Sequence, residues 1–234
     1  MTEPTPHLNP ATELADRVLL PGDPHRALAM AQALLEAPRM FNARRGLWGY
    51  TGAAEDGRPL TIQSTGMGGP SAAIVVEELI RLGARTLIRT GTCGALAEDL
   101  RLGDLVVASE AIAADGASRA LGADGRLAAD PALTEALAGR TAGPARTIVS
   151  ADLFYDPDPE RLARWAEDGA AAVEMEAAAV FATAARHGVP AACVLMVTDE
   201  LAGGGRRRME HEEIEDRAAR LGEVALAALA APTR

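Results

Sequence analysis

The sequence predicts an α/β fold in one domain, residues 1–234, with three layers: a central mixed, twisted sheet flanked by helices on both faces. Three observations predict it. Short apolar runs alternate with longer runs whose apolar residues recur at helical spacing, which is the signature of strands covered by helices. Several expected strands end in glycine or a small polar residue, at Gly22, Gly66, Gly91 and Thr198. No internal repeat and no break in composition divides the chain.

The elements follow in order. Val18–Leu20 is a short apolar strand that runs into the turn Pro21-Gly22-Asp23-Pro24. His25–Leu35 is a helix, with Ala27, Leu28, Met30, Ala31 and Leu34 on one face. Leu60–Ser64 is a strand, Gly66–Ser71 a flexible turn, and Ser71–Leu82 a helix. Thr86–Thr90 is a strand leading to the glycine turn Gly91-Thr92-Cys93-Gly94. Strands are expected at Asp104–Ser109, Arg146–Val149, Ala171–Val173 and Ala192–Thr198. Helices are expected at Pro159–Trp165, Ala177–Arg186 and Met209–Ala230, and residues 203–208, Gly-Gly-Gly-Arg-Arg-Arg, read as a mobile loop. In open α/β sheets ligands bind at the carboxyl ends of strands, so the glycines and polar groups there point to one common site.

Composition excludes several classes of function. Aromatic residues make up only 3% of the chain, so Ala, Leu and Val must fill the core. The net charge of -10 argues against a nucleic-acid or anionic-membrane surface, yet leaves room for a small anionic substrate held by a few buried arginines. All 23 basic residues are Arg. Without lysine there is no Walker A motif, no Schiff base and no pyridoxal anchor. Cys93 and Cys193 stand far apart and the four histidines are scattered, so no metal site and no cofactor is expected, and a reduced, cytoplasmic setting fits. The polar N-terminal segment has no signal-peptide character, and no run is long enough to span a membrane.

Four segments carry chemistry. In Arg89-Thr90-Gly91-Thr92-Cys93-Gly94, glycine N–H groups, a Thr hydroxyl and a guanidinium would cradle an oxyanion; a tight turn beside a surface arginine has the same residues. Pro21–Arg26 repeats that logic, with Arg26 in the first turn of a helix. Val173-Glu174-Met175-Glu176 sets two carboxylates in an apolar stretch, suited to acid/base work, to sugar hydroxyls or simply to a helix start. Thr198-Asp199 ends an apolar strand in an acid, a general-acid position and equally an N-cap position.

Taken together and in order, these segments resemble the bacterial, hexameric type of purine nucleoside phosphorylase within the nucleoside phosphorylase and uridine phosphorylase superfamily. The resemblance rests on Pro6-His7-Leu8-Asn9, Leu20–Pro24 with Arg26, Arg45–Gly52, Gly66-Met67-Gly68 with Pro70-Ser71, Arg89–Ala95, Ser150–Tyr155, Val173–Ala177 and Thr198-Asp199. It implies phosphorolysis of purine (deoxy)ribonucleosides to free base and (deoxy)ribose 1-phosphate, with inorganic phosphate as co-substrate and no cofactor. It implies phosphate ligands at Gly22, Arg26, Arg89, Thr90, Gly91 and Thr92, with Arg45 donated by a neighbouring subunit. It places His7, from the same neighbour, at the ribose 5′-hydroxyl. Glu176 and Met175 meet the ribose; Phe154, Val173, Gly94, Glu174 and Thr198 surround the nucleoside. Asp199 is the general acid at purine N7. A helper arginine for that acid falls at Arg217, with Arg208 as the other choice. The implied assembly is a homohexamer, a trimer of dimers with shared sites.

The sequence departs from the pattern at Thr92, where the family often has Ser, and at Glu200, where His is frequent. Uridine phosphorylase is the nearest alternative, but residues 156–161 lack its base-reading Gln. A hydrolytic nucleosidase would lack Arg26, Arg45 and Arg89. A non-catalytic nucleoside-binding protein on the same fold is the alternative from another class.

Overall fold

The computed structural model describes residues 5–202 and 207–230. Strand β1 (Arg17–Leu20) is followed by helix α1 (Pro24–Leu34), then β2 (Glu36–Asn42), β3 (Gly49–Ala53) and β4 (Pro59–Gln63). Helix α2 (Gly69–Leu82) leads to β5 (Thr86–Ala95) and β6 (Leu105–Ala113). Then come α3 (Gly116–Ala120), β7 (Arg126–Ala128), α4 (Pro131–Ala138) and β8 (Arg146–Ser150). The chain ends with α5 (Arg161–Glu167), β9 (Ala172–Glu174), α6 (Ala177–Arg186), β10 (Ala191–Glu200), β11 (Arg207–Arg208) and α7 (His211–Leu229).

Among the described residues the strands form one mixed sheet in the order β11-β10-β6-β8-β9-β5-β1-β4-β3-β2, with β7 on β6. β5 also pairs along its length with β10, parallel, from Leu87 to Ala95. β10, β6, β8, β9 and β5 therefore close into a ring, while β1, β4, β3 and β2 extend it as an open wing. Each sheet face has its own core. One joins Val75, Val76 and Leu79 of α2 to Ala178, Val180 and Phe181 of α6. The other joins Met30 and Leu34 of α1, Leu137 of α4 and Leu221 and Leu226 of α7. These are the three expected layers.

Local chemistry explains the helix limits. Asp23 caps α1, accepting from the Arg26 N–H at 2.9 Å, and Pro24 opens the first turn, where its missing N–H costs nothing. α2 stops at Gly83, in the left-handed region with φ 119°. The strands β2 and β3 had no sequence signal: β2 carries Pro38 and is mostly exposed, as suits the edge of the wing.

Two expectations change. The segment Gly91–Gly94 is not a turn; it continues β5, and its backbone is taken up by the ladder with β10 and, at Gly94, with β9. Of the loop expected over 203–208, residues 203–206 lie outside the described residues. Arg207 and Arg208 form β11, pairing Asp199 with Arg208 in antiparallel register.

Candidate active site

A cavity of about 540 Å³ opens toward the carboxyl ends of β1, β5, β9 and β10. Its floor is cationic. Arg89 projects from β5, and Arg26 stands in the first turn of α1. Arg89 Nε donates to Glu174 Oε2 at 2.8 Å, and Nη2 pairs with Glu176 Oε2. Nη1 of Arg89 and Nη1 of Arg26 are both buried with no hydrogen-bond partner among the described residues. A buried, charged donor left without an acceptor costs several kcal/mol unless something supplies one, roughly 1–3 even for an ordinary polar group. Two such donors side by side ask for an anion.

Electrostatics at the floor are tightly linked. Burial lowers the Arg26 pKa, and neighbouring Arg89 lowers it further. Arg89 is pushed the other way: burial opposes its charge, but Glu176 and Glu174 outweigh burial and hold the proton more firmly. Burial raises the Glu176 pKa, with Arg89 opposing and Glu174 adding to the rise. The glycines make room. A Cβ at Gly91 would lie 2.6 Å from Arg89 Nη2, so the guanidinium folds back over a residue with no side chain.

At the other end stands Asp199, at the close of β10 and 5% exposed. Its Oδ2 accepts from Thr198 Oγ1 at 3.1 Å, and Arg208 Nη1 lies 3.8 Å from its Oδ1. Thr198 and Asp199 are consecutive, yet both line the cavity. Regular alternation would send one of them to the opposite face. The register between β10 and β5 shifts at this point, and that irregularity re-aims the strand end. Between acid and floor the wall is apolar, built by Phe154, Leu162, Trp165, Val173 and Leu201. Phe154 is 48% exposed at the mouth, and the Arg208 guanidinium sits 5.5 Å from its ring centroid.

The whole chain, and not only the cavity, can be compared with known proteins. The family model of the phosphorylase superfamily matches residues 16–231. The chain belongs to the phosphorylase superfamily. It is 38% identical over 213 residues to the DeoD-type purine nucleoside phosphorylase of Alkaliphilus metalliredigens, covering 86% of this chain and 89% of that protein. To the protein of the same description from Geobacillus kaustophilus it is 40% identical, covering 86% and 88%. To that of Clostridium perfringens it is 39% identical, covering 81% and 83%.

In this phosphorylase-superfamily chain most of the expected residues meet. Gly22, Arg26, Arg89, Thr92, Gly94, Phe154, Val173, Glu174, Met175, Glu176, Thr198 and Asp199 all line the one cavity. Others do not. Thr90 is buried against Met30, where its hydroxyl reaches Met30 Sδ at 3.6 Å. Gly91 serves by giving space to Arg89, since its backbone is committed to the ladder. Glu174 reaches the cavity wall, but its carboxylate is spent on protein donors. Arg217 is outside the cavity: it pairs with Glu213 at 2.7 Å on α7, and Arg208 holds the place beside Asp199. Arg45 is exposed in the 3-10 turn Arg44–Gly46, outside this chain's cavity. His7 is also outside it, with Nδ1 2.6 Å from Glu78 Oε1. Sequence reasoning missed Ser150, which ends β8 beneath Glu174, and the apolar pair Leu162 and Trp165; Ser150 shares a strand end with the other site residues, and that was its signal. Cys93 and Cys193 are buried free cysteines, and burial raises both thiol pKa values. Among the described residues no group of three or more His, Cys, Asp or Glu side chains converges on a metal position, and no helix is long and apolar enough to cross a membrane.

Proposed function

We propose that this chain is a purine nucleoside phosphorylase, which transfers the pentosyl group of a purine nucleoside to inorganic phosphate. The observation that carries the reading is the pair of buried, unpartnered guanidinium nitrogens on Arg26 and Arg89, two residues that line the same cavity as Asp199. Kinship with the DeoD-type enzymes supports it.

Phosphate binds to Arg26 and Arg89, with Gly22 and the Thr92 hydroxyl completing the cradle. The ribose lies above it against Met175, its hydroxyls donating to Glu176. The base occupies the apolar slot, between Phe154 and Val173. As the C1′–N9 bond lengthens, positive charge grows on the sugar. The dianion below stabilises that charge and a phosphate oxygen bonds to C1′. The electron pair of the broken bond leaves with the purine, and Asp199 donates a proton to N7. The products are free base and (deoxy)ribose 1-phosphate. Arg208 assists Asp199 in this reading rather than Arg217, supported by the 3.8 Å between Arg208 Nη1 and Asp199 Oδ1. Phosphate is a co-substrate, and no cofactor enters the reaction.

The reading extends to assembly. Arg45 and His7 lie outside this chain's cavity, and the apolar side chains Met67, Leu153 and Tyr155 are exposed near its mouth. Both facts support sites shared between paired subunits; the hexamer of three dimers and the cytoplasmic setting are carried over from the family resemblance alone. An assay of inosine, guanosine, adenosine and uridine, each with and without phosphate, tests the activity. The purine nucleosides should turn over only with phosphate; equal rates without it would end the reading. Asp199→Asn should slow adenosine phosphorolysis by roughly 10²–10⁴-fold. An unchanged rate would remove the general-acid role.

A further inference from the structure

Helix α6 begins without the usual cap. The first N–H groups of a helix have no partner within it, and the N-cap side chain normally accepts from one of them. The N-cap here is Glu176, and its side chain makes no cap hydrogen bond. It turns into the cavity, accepting from the Gly68 N–H at 2.5 Å and pairing with Arg89 Nη2. The helix donors are met by two residues that precede it. Glu174 accepts from the Glu176 N–H at 2.8 Å and from the Ala177 N–H at 3.0 Å. Ser150 Oγ accepts from the Ala178 N–H at 2.9 Å.

The same two residues reach the phosphate floor. Ser150 Oγ donates to Glu174 Oε1, and Glu174 Oε2 accepts from Arg89 Nε at 2.8 Å. Ser150 is fully buried and the Glu174 side chain is 1% exposed. An ionised carboxylate offers about four lone-pair sites. Four donors already address Glu174: the Ser150 hydroxyl, the Arg89 Nε–H, and the N–H groups of Glu176 and Ala177. Nothing is left for a base or a sugar.

We infer that Ser150 and Glu174 are positioning residues for phosphate: while accepting from the first N–H groups of α6 in place of Glu176, they lock Arg89 by its Nε. The inference rests on the proposed phosphorolysis. Neither residue touches substrate. Glu174 fixes one edge of the Arg89 guanidinium, and Nη1 is the nitrogen left without a partner among the described residues. Ser150 fixes Glu174 by occupying its other oxygen.

Steady-state kinetics of the intact protein, varying phosphate and inosine separately, test this. Ser150→Ala should raise the KM for phosphate roughly tenfold, since a small misplacement of a binding group carries a large penalty, while the KM for inosine moves less than about twofold. Glu174→Gln should raise it further, because Arg89 loses a charge-assisted bond. Ser150→Thr, which keeps the hydroxyl, should restore the wild-type value. The thermal shift produced by inorganic phosphate alone should shrink in step in Ser150→Ala and Glu174→Gln. Circular dichroism establishes that each variant is folded, and Glu174→Gln carries the test if Ser150→Ala is not. Folded variants with a wild-type phosphate KM and thermal shift would overturn the inference, as would equal rises in both KM values. A wild-type enzyme that turns over inosine without phosphate would instead overturn the proposed function.

Discussion

Arg17 and Arg89 stand on neighbouring parallel strands and are equally hidden, at 2% and 3% exposure. Arg17 opens β1; Arg89 lies level with Leu20, where β1 closes. Every donor edge of Arg17 is used: Nε donates to Pro59 O at 2.8 Å, Nη1 and Nη2 grip Asp56 at 2.6 Å each, and Nη2 also reaches Arg58 O at 2.8 Å. Arg89 is paired with two carboxylates, yet its Nη1 has no partner among the described residues. Burial and ion pairing therefore do not distinguish a structural arginine from a binding one. The unmet donor does, and it lies at the carboxyl end of the strands, where an α/β sheet receives its ligands.

The sharpest way to break this comparison is to remove each guanidinium in turn. Arg17→Gln takes a buried guanidinium from its acceptors while the exposed Asp56 carboxylate stays hydrated, and should cost about 1–3 kcal/mol of stability in denaturant unfolding, with kcat/KM unchanged while the protein is folded. Arg89→Gln should lower kcat/KM by roughly 10²–10³-fold and abolish the thermal shift caused by phosphate, the scale of losing one preorganised anion donor. If Arg17→Gln lost activity without losing stability, the contrast between the two arginines would fail.

A smaller effect sharpens the structural side. The Arg17 hydrogen bond holds the Asp56 carboxyl down to about 2, from 3.8 for the free side chain. A depressed carboxylate pKa stabilises the fold fully above the unfolded value, and that stability fades as pH falls through the folded one. Asp56→Asn should therefore cost about 1 kcal/mol at neutral pH, because the exposed carboxylate is screened by solvent. Its gap to wild type should close as the pH drops from about 4 to about 2, read from urea midpoints across that range. A last effect of similar size concerns the acid. Arg208→Ala should reduce kcat about tenfold, near 1.4 kcal/mol, whereas Arg217→Ala should leave it unchanged. The reverse ranking would return the helper role to Arg217.

Much of this was readable along the chain. The segment Asp23-Pro24 specified the start of α1, because an aspartate acceptor and a proline with fixed φ act over three residues. The apolar spacing of 177–186 specified α6, whose observed limits coincide with the expectation. The strands β2 and β3 were not readable: Pro38 and the glycines of β3 carry no strand preference, and tertiary pairing overrides it. The same holds for Gly91–Gly94, which looked like a turn and became strand because both of its edges found partners. Among site residues, Thr90 and Thr92 are chemically alike in sequence and two apart in β5; Thr90 is buried against Met30, while Thr92, one step nearer the carboxyl end of the strand, lines the cavity.

The sequence by itself determined the alternation of strands and helices, and the order in which Gly22, Arg26, Arg89, Glu176 and Asp199 arrive at strand ends. Those are consequences of local periodicity and turn chemistry. Only the tertiary structure decided which of two glutamates, two residues apart, works in the cavity. Glu174 is consumed by Ser150, Arg89 and the start of α6, while Glu176 faces the cavity toward Gly68, 108 residues away in the chain. Whether a polar atom is satisfied depends on pairs of residues brought together by folding, and no local pattern encodes it.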